Sequence, residues 1–247
     1  MSSERASSHR QDGAGRDAMA GPGPGLSLRA VSRLHQGTPA TADSVHRATA
    51  DFASGRLHCV VGGLGDGSAT LLSLIAGFEP PDTGTISVGH EPMAPVTGAV
   101  GLDPRRVGVI LPTMTLLAHL TVAENLILAA QLAGCTGQDP TTRAGDLAAR
   151  VGLGSGSLSR LPGQLSPLEQ RLVCLARATA GDPAVVIGSG LADNLDGPDE
   201  DRLFAAVASI AHRERRTVIV MTTSPGTARR ADEVWFMRNG VLLPATM

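Results

Sequence analysis

The sequence has no lysine and no tyrosine, so all 21 of its basic residues are arginines. This bias, together with many alanines and glycines, is typical of a GC-rich genome, but it does not by itself remove a lysine that catalysis needs. The net charge of −2 at pH 7 gives no excess of basic surface that nucleic acid would bind. We therefore expect no nucleic-acid partner.

A long hydrophobic run and a metal-binding cysteine pattern are also missing. No run of about 18 apolar residues occurs, so no membrane-spanning helix is predicted. Cys59, Cys135 and Cys174 lie far apart, without the spacing of metal ligands. Because Cys59 and Cys174 lie in apolar runs, we expect both to be buried free thiols of a reducing compartment. Residues 1–25, rich in Ser, Gly, Arg and Asp, are predicted to be a disordered tail and not a signal peptide.

The rest of the chain can bury a large core. Of its 247 residues, 42% are hydrophobic, enough for one large α/β domain or two small ones. Apolar runs typical of strands buried on both faces occur at Leu57–Val61, Val107–Leu111, Ala184–Ile187 and Thr217–Met221. Helical patterns alternate with them at Thr70–Ala76, Val122–Ala133, Glu169–Ala180 and Asp201–His212. This alternation predicts a doubly wound α/β core. The stretch from about 113 to 170 shows helices and no good strand, which predicts a helical insertion.

The segment VVGGLGDGSATLLSLIAG (60–77) has the outline of a phosphate-binding loop. Gly62 and Gly67 bracket four residues between a predicted strand and a predicted helix. In a P-loop, a lysine and a Ser or Thr follow the second glycine directly. Ser68 and Ala69 take those two positions here. The candidate nucleotide-contacting residues of this loop are Gly62, Gly63, Leu64, Gly65, Asp66, Gly67, Ser68, Ala69 and Thr70.

Two interpretations of this loop stay open. Its backbone N–H groups, at the start of a helix, could still face phosphate oxygens. Asp66, however, places a carboxylate where an anion would lie, and no arginine within the loop replaces the lysine. The alternative is a tight strand-to-helix turn that binds no ligand.

Four later segments occur in a recognisable order: LTVAENLILAAQLAG (120–134), QLSPLEQRLVCLARA (164–178), DPAVVIGSGLADNLD (182–196) and TVIVMTTSPGTARRADEV (217–234). Together with the glycine loop, they resemble the ATP-binding cassette domain of ABC transporters over residues 26–243. The resemblance is greatest to the small stand-alone subunits of the lipoprotein-release and macrolide-export type. It implies an ATP-binding domain over residues 26–247 of class α/β, with a P-loop NTPase-like core, a parallel sheet, an antiparallel β edge and a helical insertion.

At the catalytic positions of this family the chain carries uncharged residues. The lysine of the loop falls on Ser68, and the hydroxyl that binds magnesium falls on Ala69. The strand that should end in Asp-Glu ends in Ser189 and Gly190 instead. The histidine that contacts the γ-phosphate falls on Thr223. The resemblance therefore implies that the carboxylates that organise the metal and the attacking water are lost.

Three further family positions are also altered or ambiguous. The aromatic residue that stacks on adenine falls on His35, which could equally be a surface histidine in a loop. The glutamine that links the metal site to the helical insertion falls on Pro112, which has no side-chain amide. The signature serine is kept as Ser166, but Pro and Leu replace the two glycines after it. Ser166 could instead be the N-cap of a helix, in a capping box with Glu169.

These departures predict a catalytically degenerate subunit, a pseudo-ATPase that binds ATP weakly or not at all and has no Mg²⁺ site. The resemblance implies an ABC permease as partner and leaves open a second, active ATP-binding subunit. Residues 194–196 keep the form of the family loop that crosses to the partner subunit, but they could equally be a solvated turn. We expect a cytoplasmic protein at the inner face of the cell membrane. Two other functions stay open: an active ATPase that energises export, and a soluble regulatory scaffold. An apolar groove beside the segment after Pro112 would favour a transporter subunit.

Overall fold

A computed structural model describes residues 24–35, 43–93, 103, 105–111 and 116–245. Its strands are β1 (Pro24–Arg33), β2 (Val45–Ala53), β3 (Leu57–Val61), β4 (Thr83–Val88), β5 (Glu91–Pro92), β6 (Val107–Ile110), β7 (Val185–Ser189), β8 (Thr217–Thr222), β9 (Glu233–Arg238) and β10 (Val241–Pro244). Its helices are α1 (Ser68–Ala76), α2 (Val122–Leu132), α3 (Pro140–Arg150), α4 (Pro167–Ala178), α5 (Gly197–Arg213) and α6 (Pro225–Ala228). Short 3₁₀ turns lie at Ser155–Ser157 and Pro162–Gln164.

The central sheet has six strands in the order β10-β9-β3-β8-β7-β6. The four apolar runs of the sequence form four neighbouring strands in it, β3, β8, β7 and β6, all parallel. Only the outer pair β9–β10 is antiparallel. Strands buried on both faces read as continuous apolar runs, so the predicted parallel sheet is confirmed.

A second, antiparallel sheet packs beside the first, with strands in the order β2-β1-β4-β5. The predicted α/β class with an antiparallel β part is thereby confirmed. The first strand includes Pro24 and Gly25, which the sequence placed in the tail. A methyl group added at Gly25 would overlap the Thr217 hydroxyl, so this glycine allows close packing and does not mark a loop. Residues 1–23 lie outside the described residues.

Helices α2, α3 and α4 occupy the chain between β6 and β7, and the described residues 116–184 contain no strand. α3 packs against its neighbours through buried Ala144, Leu147 and Ala148. α4 has one end in this helical layer and leads at its other end into β7. The chain therefore carries a helical layer beside the sheet, joined to it through α4.

Two hydrophobic cores hold these layers together. One core lies between the sheet and the helices α2–α5, and the other between the two sheets around α1. Cys59 and Cys174 are buried thiols outside any disulfide, as predicted, and burial raises the pKa of the Cys59 thiol to about 12. Among the described residues, no helix is both long and apolar enough to cross a membrane.

Candidate functional site

The glycine loop connects β3 to α1. Gly67 precedes the helix with a φ of 90°, a conformation that favours glycine. A side chain at Gly67 would overlap the Ser44 carbonyl, and one at Gly62 would overlap the Ser68 hydroxyl. Both bracketing glycines are therefore required by the packing of the chain itself, whether or not a ligand binds.

Asp66 closes this loop on itself. Its Oδ2 atom accepts a hydrogen bond from the Gly63 N–H at 2.9 Å, and its Oδ1 atom lies 3.5 Å from the Asn239 N–H. The Asp66 carbonyl accepts a bond from the Gly240 N–H at 3.0 Å. The loop is thus tied to the turn between β9 and β10, and a carboxylate already occupies one of its N–H donors.

The first turn of α1 directs its hydroxyl groups into the protein. The Ser68 Oγ atom is buried without a hydrogen-bond partner. Thr70 is buried, and its hydroxyl donates to the Asp43 carbonyl. Ala69, at the metal-hydroxyl position, is exposed. Neither hydroxyl of this turn is therefore presented to a ligand above the loop.

His35 contacts the same turn. Its Nε2 atom lies 3.2 Å from the Thr70 Oγ1 atom and 3.9 Å from a carboxylate oxygen of Glu79. The side chain remains 38% exposed. The structure therefore places His35 against the start of α1, with part of its ring open to solvent.

A cleft of about 470 Å³ lies above the glycine loop. It brings together Ser68 at the start of α1, Ser189 at the end of β7 and Thr223 directly after β8. Its walls are Leu64, Leu72, Phe78 and Leu111, and its other lining residues are Asp43, Gly62, Gly63, Gly65, Ala69 and Ser73. None of these described lining residues is basic. The flanking segments 36–42 and 112–115 lie outside the described residues, and their sequence contains no basic residue either.

The end of β7 carries no metal ligand. Ser189 is its last residue, and Gly190 follows with a φ of 66° and donates its N–H to the Met221 carbonyl at 3.3 Å. Thr223 follows β8 and is exposed. Within the described residues, no group of three His, Cys, Asp or Glu side chains could hold a metal ion. Pro112, at the family's glutamine position, lies outside the described residues.

Ser166 is the N-cap of α4. Its hydroxyl accepts a bond from the Glu169 N–H at 3.2 Å, and the Glu169 carboxylate accepts from the Ser166 N–H at 2.8 Å. That backbone hydrogen bond is the main cause that lowers the pKa of Glu169. The capping box considered from the sequence is therefore formed. In the later motif, Asp196 likewise caps α5 by accepting from the Asp199 N–H at 2.9 Å.

An apolar groove of about 480 Å³ lies beside β6, the edge strand of the six-stranded sheet. Its walls include residues 107–109 of β6 and Leu117, Leu128 and Leu132, and Arg177 also lines it. Leu132 is 76% exposed. Buried Asn125 shapes the floor, because its amide donates to the Leu117, Leu120 and Thr121 carbonyls.

Sequence reasoning found the loop but missed its closure. Asp66 reaches back to the N–H three residues earlier, whereas the aspartate turn that a sequence commonly indicates reaches the backbone two residues further on. The contact of Asp66 with the β9–β10 turn had no sequence signal, because its partner lies 173 residues away.

Comparison with known proteins gives a consistent family. The family model for "ABC transporter" matches residues 45–188. An uncharacterized ABC transporter ATP-binding protein of Mycobacterium tuberculosis is 32% identical over 199 residues, which are 80% of this chain and 80% of that protein. The lipoprotein-releasing system ATP-binding protein LolD of Gluconobacter oxydans is 30% identical over 221 residues, 89% of this chain and 95% of LolD.

Solved structures agree at the level of the fold. The dimeric structure of MJ0796, described as a bacterial ABC transporter cassette, has a TM-score of 0.74 at 19% identity and covers 88% of this chain and 96% of that one. A second structure of MJ0796, described as a post-hydrolysis state bound to ADP and Pi, has a TM-score of 0.75 at 18% identity. It covers 88% of this chain and 96% of that one.

Proposed function

The chain belongs to the ABC transporter family, and we propose that within this family it is a catalytically degenerate ATP-binding subunit that assembles with an ABC permease. In this role the chain keeps the cassette fold as a structural component. It binds ATP weakly or not at all, and another subunit carries out hydrolysis.

One observation carries the proposal: the described cleft above the glycine loop has no basic lining residue, and β7 ends in Ser189 and Gly190. Phosphoryl transfer depends on cations that neutralise the phosphates and on carboxylates that hold the metal. Removing one preorganised donor from a transition state typically costs about 10²–10³ in rate. Several such groups are absent here, and although their effects do not add, no charged group of the family's reaction centre remains.

The position of the hydroxyl groups supports the absence of a magnesium site. Mg²⁺ demands oxygen ligands in a nearly octahedral arrangement. The Thr70 hydroxyl is engaged with the Asp43 carbonyl, and the Ser68 hydroxyl is buried. Neither is free to bind a metal ion above the loop, so we propose that ATP, if it enters, enters without a bound Mg²⁺.

The groove beside β6 supports a permease partner over a soluble scaffold. Contiguous exposed apolar surface marks interaction sites, and an amphipathic helix commonly lays its apolar face into such a groove. The walls are mostly aliphatic, with Arg177 as the charged lining residue among those described, and Leu132 is largely exposed at the rim. We propose that a permease helix occupies this groove, which would hold the chain in the cytoplasm against the inner face of the membrane.

A second, active cassette is the proposed dimer partner. In the family arrangement, the glycine loop of one subunit faces the signature motif of the other. Two copies of this chain would place Asp66 opposite Pro167 and Leu168 at both sites, with no cation to neutralise a phosphate. A mixed dimer keeps one competent glycine loop, supplied by the partner, so we expect contact through the permease to matter more than nucleotide.

Catalytic silence is tested on the purified full-length chain with Mg-ATP. Phosphate release should equal that of the no-enzyme control. Turnover that saturates with ATP, survives a second purification and disappears in a Gly67→Val variant would contradict the proposal. The Gly67→Val variant serves because a valine there overlaps the Ser44 carbonyl and disrupts the loop, whereas a contaminating ATPase would be unaffected.

Permease binding is tested by co-expression with each candidate ABC permease of the same genome and purification in detergent without nucleotide. The chain should co-elute, and Leu132→Glu in the groove should abolish co-elution. Leu243→Glu is the matched control, because Leu243 is 50% exposed on β10 at the opposite edge of the sheet. Equal loss in both variants, or a chain that elutes alone with every candidate permease, would favour the soluble scaffold.

A further inference from the structure

The glycine loop already holds an anion of its own. We propose that Asp66 acts as an internal substitute for a phosphate, which occupies a backbone donor of the loop and blocks the loop to phosphate-bearing ligands. This inference deepens the proposed function and rests on it, because it treats the loop as a former phosphate cradle.

The contacts of the carboxylate carry the first step. Backbone N–H groups of a glycine loop are the donors that bind phosphate oxygens. The Gly63 N–H, which would be one of them, donates at 2.9 Å to Asp66. An incoming phosphate would have to displace a charge-assisted hydrogen bond that forms within the same short turn.

The second step is electrostatic. Asp66 lies directly before Gly67, the N-cap of α1, which as a glycine supplies no capping side chain. The N-terminus of a helix favours negative charge, and this carboxylate is placed to provide it. Among the described lining residues of the cleft, Asp43 carries a carboxylate that no basic residue offsets. A polyphosphate would therefore meet a like charge at Asp43 and an occupied donor at Gly63.

The third step links the closed loop to the body of the protein. The Asp66 carbonyl accepts from the Gly240 N–H at 3.0 Å, and the Gly240 carbonyl accepts from the His46 N–H at 2.8 Å. The Asp43 N–H donates to the Gly65 carbonyl at 3.3 Å. The loop is thus fixed to the β9–β10 turn and to the segment before β2 by contacts within the chain itself.

The remaining cleft suits a different chemistry. Its walls are aliphatic and aromatic, and its polar side chains are hydroxyls and the Asp43 carboxylate. Such a site accepts uncharged or cationic molecules and rejects anions. The contact between Asp66 and Gly63 is the part of this barrier that a single substitution can remove.

The test measures binding of pyrophosphate and of inorganic phosphate to the full chain by titration calorimetry, at one fixed ionic strength. Wild-type protein should bind pyrophosphate at most weakly, and the weakest affinity that the titration detects serves as its upper limit. Asp66→Ala, which frees the Gly63 N–H and removes the charge, should bind pyrophosphate at least tenfold more tightly than this limit. Asp43→Asn is the matched control, since it removes one charge from the same cleft but leaves the Asp66 contact in place, and it should change affinity by less than about threefold.

A second variant and a second readout separate blocking from folding. Asp66→Asn keeps an acceptor oxygen for the turn and loses only the charge, so it should show a smaller gain than Asp66→Ala. Amide hydrogen exchange at Gly63 should become at least tenfold faster in Asp66→Ala and stay unchanged in Asp43→Asn.

Two outcomes overturn the inference. One is an Asp66→Ala protein with native circular dichroism that binds pyrophosphate no better than Asp43→Asn. The other is a wild-type chain that binds pyrophosphate as tightly as Asp66→Ala. Either result leaves the proposed function to be decided separately, because ATP hydrolysis and permease co-elution are measured on the wild-type chain and do not depend on Asp66.

Discussion

The two ends of strand β7 differ sharply in charge. Asp182 lies three residues before the start of β7 and forms ion pairs with Arg143 at 2.8 Å, Arg150 at 3.0 Å and Arg216 at 3.1 Å. At its last residue, Ser189 faces a cleft whose described lining contains no basic side chain. Three arginines thus lie near the start of β7, whereas no basic residue is among the described lining of the cleft at its end.

This difference shows that these arginines connect elements of the fold. Arg143 and Arg150 belong to α3, whereas Arg216 directly precedes β8, so Asp182 joins the helical layer to the sheet. Glu214 extends this cluster by pairing with Arg216 at 2.8 Å and with Arg150 at 3.4 Å. Basic side chains are present where they connect elements of the fold and absent from the described lining of the cleft, where they would bind a phosphate. This distribution supports the proposed loss of catalysis.

Breaking the charged end should have the largest effect. Asp182→Ala leaves three arginines without their shared partner, with the Arg216 side chain only 12% exposed. Removing one partner of a buried pair costs about 3–5 kcal/mol, but Asp182 is 48% exposed, so we expect a loss of about 2 kcal/mol. Chemical denaturation measures it. Asp51→Ala, which breaks the exposed Arg29–Asp51 pair, should cost less than about 0.5 kcal/mol.

The same aspartate gives this prediction a pH signature. Burial raises the pKa of Asp182, but hydrogen bonds from Arg143 and Arg150 outweigh it, and the net pKa is lowered. Because the folded-state pKa is lowered, the contribution of Asp182 to stability is complete above the unfolded-state pKa of about 3.9, and it is lost as the pH falls below that value. The difference between wild type and Asp182→Ala should therefore shrink below about pH 4. A difference that stays constant down to pH 2 would exclude the ion pairs as its cause.

Restoring charge at the other end should change binding without restoring chemistry. Asp66→Gly combined with Ser68→Lys removes the internal carboxylate and returns a cation to the loop. One charge-assisted hydrogen bond contributes about 1.5–3 kcal/mol, so ATP affinity should rise roughly 10- to 100-fold. Phosphate release should remain at the control level, because Ser189 and Gly190 still end β7. Calorimetry measures the ATP affinity, and a phosphate assay measures hydrolysis. Asp66→Gly combined with Ser68→Gln is the uncharged control.

Hydrolysis by the Lys-bearing variant would contradict the view that the carboxylates of β7 are indispensable. Equal ATP affinity in the Lys and Gln variants would contradict the view that the missing cation limits binding. The two readouts therefore test the two losses separately.

Much of the fold could be predicted from the sequence because its central strands are buried on both faces. β3, β6, β7 and β8 read as continuous apolar runs, and helical patterns separate them. The antiparallel sheet could be placed only through the family resemblance. β2, for example, alternates buried and exposed residues and is rich in small and polar side chains, a weaker signal than a continuous run.

The candidate site could be predicted only in part. Local patterns located the glycine loop and the capping box of Ser166, because the residues of each lie within a few positions of one another. The contact between Asp66 and Asn239 and that between His35 and Thr70 depend on tertiary packing. No local pattern encodes either one.

The signature serine provides the next test of what the chain has kept. If Ser166 is retained as a helix cap, Ser166→Ala should destabilise the protein by about 1 kcal/mol, whereas Ser166→Asp, another good N-cap, should change stability by only a few tenths. Thermal unfolding measures both. Stability that is unchanged in Ser166→Ala would mean that the cap contributes nothing and that the serine is kept for another reason.

The smallest expected effect concerns His58, which is fully buried near the start of β3. Its Nε2–H donates to the Ala53 carbonyl at 3.0 Å, and its ring meets Phe52 edge-on with centroids 5.2 Å apart. Burial lowers the pKa of His58, outweighing the opposing effects of that carbonyl and of Glu233. The folded-state pKa is therefore below the unfolded value of about 6.5, so the unfolded chain binds more protons as the pH falls below 6.5. The contribution of His58 to wild-type stability should be complete above that pH and decline toward the folded-state pKa.

His58→Gln keeps a donor for Ala53 but loses the ring contact with Phe52, so it should be less stable than wild type at pH 7.5. Because glutamine cannot titrate, only wild type loses stability with acid, and the difference in stability should narrow between pH 6.5 and 5. Denaturation at several pH values measures this narrowing. If the difference instead widened with acid, His58 would be gaining its charge in the folded protein, paired with Glu233, and the buried end of β3 would hold an ion pair where we infer a neutral ring.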